Sequence, residues 1–142
     1  MRVRTIPAVA DDESVPMNGA ELRVITEYLG LDQSALADYL DVSARTVRRW
    51  IAGATPVPDG VRSEIETLEN YTDAAVCGVV AELREACAPS VTVYGEDDPE
   101  WGDIAASLAI ERPVPARWWR MVVARAVREV PGVAIRYAGE VA

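Results

Sequence analysis

From Asn18 onward the apolar positions recur at intervals of three and four, the repeat of a helix that buries one face. Leu22, Ile25 and Leu29 share the first such face. Asn18 followed three residues later by Glu21 is the pattern of a helix start whose side chains cap each other's backbone, and Gly30 is placed to end that helix. A short second helix is predicted over Gln33–Leu40, capped by Asp32, with Leu36, Ala37 and Leu40 facing inward. Asp41 and Val42 form a tight turn. Ser43 then caps a third helix that stops near Ala52 and Gly53, and the prolines at 56 and 58 stiffen the connector that follows.

A fourth and much longer helix is predicted from Asp59 to Ala86. Val61, Ile65, Leu68, Thr72, Ala75, Val79, Leu83 and Ala86 form a narrow, continuous seam along it, as a packing or dimerising helix needs. Pro89 ends it, and the pattern then shortens. Val91–Tyr94 reads as a strand. Trp101, Ile104, Ala105 and Leu108 form one apolar face, and Trp119, Val122, Val123, Ala126, Val127 and Val130 form the stripe of another helix. Val133–Tyr137 follows Pro131 and Gly132 as a second strand, placed to pair with the first.

Residues 1–17 have no period. Pro7, Pro16 and the run from Asp11 to Glu13 break it, so this stretch reads as a disordered tail. Met17 opens MNGAEL, which looks like a natural start, and the tail is expected to be an upstream extension. The expected fold class is therefore mainly α. A four-helix unit at 18–88 is followed by a small β-α-α-β unit at 89–142. The first unit is complete without the second, which makes the second the expected dimerisation surface, with Trp118, Trp119, Val122 and Tyr137 as its candidate residues. A tryptophan on a valine stripe is more often core than a base-stacking platform.

Composition narrows the chemistry. The chain has 142 residues and a net charge of −9, from 23 acidic and 14 basic side chains. Every basic side chain is an arginine, and His, Lys and Phe are absent. The commonest general base, the commonest zinc ligand and the amine of Schiff-base chemistry are therefore missing. No enzyme is expected, and no metal, nucleotide or other cofactor is implied. The weakest of the alternatives, an enzyme, rests on the carboxylates of Glu96–Asp103 alone. Cys77 and Cys87, ten residues apart, fall on different faces of a helix and are expected to be small buried side chains. No apolar run reaches the length of a membrane span or of a signal peptide, so the cytoplasm is the expected location, on the nucleoid when DNA is bound.

Leu31–Gly53, LDQSALADYLDVSARTVRRWIAG, is the specific part. Two short helices meet at a tight turn, and the second opens on a Ser cap and carries three arginines. This segment resembles the helix-turn-helix of the Cro/C1-type (XRE-like) regulators, within a lambda-repressor-like bundle. Leu31, Gln33, Leu36, Ala37, Leu40, Val42, Ser43, Thr46, Arg49, Trp50 and Gly53 agree with that family's pattern. Leu36, Ala37, Leu40, Val47 and Trp50 would pack the helices, and Gly53 would supply the left-handed stop. Two positions depart. Asp41 stands where the turn usually has Gly, and Ile51 replaces a polar residue. Met17–Glu21 and the stretch from Val42 to Val61 are also similar to a narrower group with a small C-terminal domain, which includes anti-CRISPR-associated autorepressors and YdiL-like proteins.

The resemblance implies that the third helix lies in the major groove of double-stranded DNA. Carried over by position, Ala44, Arg45 and Arg49 face the bases, while Gln33, Ser34, Ser43, Thr46 and Arg48 hold the phosphates. One such motif reads few base pairs, so the implied working form is a homodimer on an inverted-repeat operator, repressing its own promoter. The acidic total does not oppose this. Residues 43–62 carry four arginines against Asp59 alone, a local excess of three. A second basic stretch, Arg112, Arg117, Arg120, Arg125 and Arg128, is expected to pair with Glu96, Asp97, Asp98, Glu100 and Asp103 rather than to bind RNA or flanking DNA. The rival to a regulator is an antitoxin-like interaction module whose C-terminal part binds a protein partner.

Overall fold

The Asn18 side chain accepts a hydrogen bond from the Glu21 backbone N–H at 2.8 Å, and the Glu21 carboxylate accepts one from the Asn18 N–H at 3.0 Å. This reciprocal cap opens the first helix of a computed structural model that describes residues 17–140. The elements are α1 (Gly19–Tyr28), α2 (Gln33–Leu40), α3 (Ala44–Ile51), α4 (Asp59–Glu85), β1 (Ser90–Val93), α5 (Pro99–Ala106), α6 (Ala116–Val127) and β2 (Ala134–Tyr137). The fold is mainly helical with a small α/β part, as the spacing predicted.

Each short helix begins and ends where its sequence directs. The Asp32 side chain accepts from the Ala35 N–H at 2.8 Å and opens α2. Asp41 closes it in the left-handed conformation, φ 59°, which a short polar side chain tolerates better than most. Gly53 takes the same hand after α3, at φ 80°. Helices α1 and α3 pack tightly enough to constrain Gly19. A Cβ at that residue would lie 2.3 Å from the Trp50 carbonyl oxygen, so only glycine lets the start of α1 approach the end of α3 this closely.

Helix α4 runs unbroken through Gly78, and its buried face departs from the expected seam in its second half. Val61, Ile65, Leu68, Thr72 and Leu83 are buried as expected, but Val76 and Val80 replace Ala75 and Val79, which are half-buried. After Thr72 the helix takes a step of four rather than three, and both sets of residues are apolar enough to satisfy the pattern. What selects one set is α6, which packs along α4 within the same chain.

In α6 the buried stripe is Ala116, Trp118, Val122, Val123 and Ala126. Trp118 and Val122 have no solvent exposure, so neither belongs to a surface that meets another chain, which corrects their expected role. Trp119 is half-buried, its indole N–H donating to the Thr92 carbonyl at 2.8 Å. Tyr137 is exposed.

Strands β1 and β2 pair in parallel, Ser90 with Ala134 through Val93 with Tyr137. Parallel strands need a long crossover, and α5 with α6 supplies it. Buried side chains from both halves join one core, running from Leu22, Leu36 and Val47 to Trp118 and Val130. Met17, assigned to the tail by its lack of pattern, is buried in that core. The disordered tail and upstream extension expected before it lie outside the described residues.

Two further expectations fail. Tyr39 is buried where Leu40 was expected to be, and Leu40 is half-buried. Cys77 and Cys87 are both exposed, Cys77 on the outer face of α4 and Cys87 beyond its end. Among the described residues, no helix is long and apolar enough to cross a membrane.

Candidate nucleic-acid interface

Ser43 opens α3. Its hydroxyl accepts from the Thr46 N–H at 3.1 Å, and the two hydroxyls lie 2.9 Å apart. Val47 and Trp50, one turn apart on one side, are buried and hold α3 against the bundle. That fixes the other side outward, where Arg45, Arg48 and Arg49 are all exposed.

These three arginines differ from most others in what surrounds them. Arg23 pairs with Glu27, Arg62 with Glu21, Arg84 with Glu129, Arg112 with Glu64, Arg120 with Glu96 and Arg125 with Asp73. Among the described residues, no carboxylate lies within 4.0 Å of Arg45, Arg48 or Arg49. Six arginines thus hold carboxylates, while one helix face is left purely cationic. Such a face attracts a polyanion and competes with no neighbouring carboxylate.

The remaining predicted residues are distributed over two helix starts. Ser43, Ala44 and Thr46 lie in the first turn of α3, with Ala44 half-buried against the core. Gln33 and Ser34 open α2. Ser34 borders a hollow that also presents its sequence neighbours Asp32 and Asp38 and, from far along the chain, Glu96 and Arg117.

The second basic stretch is only partly paired as expected. Arg120 meets Glu96 and donates to the Tyr94 carbonyl. Arg112 reaches elsewhere, donating to the Tyr39 carbonyl in the last turn of α2 and to Glu64 on α4, each at 2.9 Å. Its guanidinium also lies 5.7 Å from the centre of the Tyr39 ring. Burial first, then the Glu64 charge, pushes the Tyr39 hydroxyl above its ordinary range, with Arg112 opposing, so the phenol stays neutral. Arg125 pairs with Asp73 at 3.0 Å and covers the Tyr28 ring. These partners lie 48 to 97 residues away in sequence, beyond the reach of any local charge pattern.

The acidic stretch Glu96–Asp103 spans the loop after β1 and the start of α5. Glu69 has its carboxyl raised, by partial burial and by the charges of Glu66 and Asp73, but it belongs to α4.

Residues 17–114 match the family described as Aca2/YdiL-like. The chain belongs to that family. It is also 30% identical over 88 residues to the Aca2 repressor of Pectobacterium phage ZF40, a stretch covering 61% of this chain and 76% of that protein. The Aca2/YdiL-like match takes in α1 to α5 and stops at Val114, so α6, β2 and their arginines lie beyond it.

Proposed function

We propose that this protein is a sequence-specific transcriptional repressor that seats α3 in the major groove of DNA, in the manner of Cro/C1-type helix-turn-helix proteins. The observation that carries this is the exposed, unpaired row Arg45, Arg48 and Arg49 on a helix whose opposite side is locked into the core. Family membership and the similarity to a protein named a repressor point the same way. Arg45 and Arg49 read guanine through paired donors to O6 and N7, and Ala44 offers at most an apolar contact. Gln33, Ser34, Ser43, Thr46 and Arg48 hold phosphates and set the register.

The working form in this proposal is a twofold dimer on an inverted repeat in a promoter, joined through the exposed side chains of β2, Ile135 and Tyr137. Covering the promoter is a regulatory act and needs no catalysis. The overall charge of −9 limits the number of phosphates neutralised, which weakens nonspecific binding and flattens its dependence on salt.

The test is binding of the purified protein to its own upstream DNA, against scrambled DNA of equal length, across a salt series. The expected result is a preference that survives physiological salt and disappears in the Arg45→Ala/Arg49→Ala variant. A folded protein with no preference would remove the proposal.

A further inference from the structure

Arg117 lies in the first turn of α6, three residues past the end of the family match. Its backbone is pinned to the loop between α1 and α2. A Cβ at Gly30, where φ is +82°, would lie 2.8 Å from the Arg117 carbonyl oxygen. The Arg117 side chain is exposed, and among the described residues no carboxylate lies within 4.0 Å of it.

Two neighbouring hollows share this residue. One is bordered by Gln33, Asp32 and the end of α3 at Ile51, and the other by Ser34, Asp32 and Asp38. Arg117 therefore borders both hollows at the start of α2. The acids nearby are mostly engaged. Asp32 caps α2, Glu27 holds Arg23 at 3.1 Å, and Glu96 holds Arg120; among the described residues neither Asp32 nor Asp38 has an arginine partner.

We infer that Arg117 is a DNA-phosphate contact, delivered by the C-terminal part of the chain to the start of α2. The inference rests on the DNA-binding function proposed above. Phosphate is the fitting ligand because a guanidinium presents a planar fork of donors that matches two phosphate oxygens. The site also adjoins Gln33 and Ser34 rather than the first turn of α3 that would read bases. By this contact α6 extends the interface past the helix pair that the sequence motif defines.

The experiment compares Arg117→Gln, Arg117→Lys, Arg48→Ala and Arg128→Gln with the parent, on upstream and scrambled DNA across a salt series. Arg128 is the control, an exposed arginine at the opposite end of α6 with no acidic partner among the described residues. Arg117→Gln should weaken binding to both DNAs by the same factor, roughly three- to tenfold, and reduce the log–log salt slope by about one. Arg117→Lys should recover part of the loss, and Arg128→Gln should match the parent. If the parent binds and Arg48→Ala weakens it while Arg117→Gln changes neither affinity nor slope, this inference alone is overturned. If the parent binds no DNA, the functional proposal fails and the inference falls with it. Unchanged thermal unfolding of the exposed-arginine variants separates either outcome from misfolding.

Discussion

The indole N–H of Trp118 donates to the Thr72 hydroxyl at 2.9 Å, and neither side chain is exposed to solvent. The same hydroxyl donates to the Leu68 carbonyl at 2.6 Å, so each polar atom of this buried pair has its partner. Thr72→Val keeps the shape and leaves the indole N–H unsatisfied, and should destabilise the protein by about 1–3 kcal/mol. Trp118→Phe removes the other partner. Combining Trp118→Phe with Thr72→Val should cost less than the sum of the two singles, because only a single variant leaves one group stranded. Strictly additive losses in urea unfolding would show that the hydrogen bond contributes nothing.

Two glycines in helices should respond to alanine in opposite directions. Gly78 has no atom within 4 Å of the added methyl, and Gly78→Ala should stabilise by about 0.5–1 kcal/mol through helix propensity. Gly19→Ala drives a methyl into the Trp50 carbonyl and should destabilise the fold by on the order of 1–3 kcal/mol. The same sign for both variants would contradict the close approach of α1 and α3.

Glu69 gives a dependence on pH with a definite sign. Its carboxyl is raised above the ordinary 4.5, so the folded chain holds that proton to higher pH than the unfolded chain does. Folding then takes up a proton between the ordinary value and the raised one, and stability falls as pH rises through that window. Glu69→Gln should therefore raise the melting temperature at neutral pH and give no advantage well below pH 4.5. An advantage that persists in acid would have some cause other than this charge.

On DNA, the arginines of α3 should separate by role. Arg45→Ala or Arg49→Ala should weaken binding to the preferred sequence by about 1–3 kcal/mol and relax the base preference at one position of each half-site. Arg48→Ala should weaken all sequences alike. A selection from randomised DNA that returns an unchanged consensus for both Arg45→Ala and Arg49→Ala would place the base-reading face elsewhere.

The cysteines offer a plain check. Both thiols are exposed, so a disulfide reagent should titrate two per folded chain without denaturant. A count of two reached only after unfolding would restore the buried placement that their size alone implied.

Sequence was most legible where local chemistry is specific. The Asn18–Glu21 cap, the Asp32 and Ser43 caps, the left-handed Asp41 and the Gly53 stop involve neighbours a few residues apart, and each appears as expected. It was least legible where a distant element decides between equivalent choices. Val76 and Val80 win over Ala75 and Val79, and Trp118 over Trp119, because α4 and α6 turn those faces to each other. Adjacent apolar residues carry no signal of that rotation. The arginine row on α3 could be read from its motif, but its freedom from acidic partners could not. Nor could the pairing of Glu64 with Arg112 and of Asp73 with Arg125, whose partners come from far along the chain.

Because β1 waits for β2, synthesis and folding run out of step. The caps and turns of α1, α2 and α3 need only local residues, so these helices can form while the ribosome is still working. Thr72 lacks Trp118 until α6 has been made, and the sheet cannot close before Tyr137. Throughout that interval α4 carries an uncovered apolar strip from Thr72 to Leu83. A ribosome stalled before residue 116 would display a chain whose cationic helix is already formed and whose core is still open, the state in which chaperones and neighbouring nascent chains would meet it.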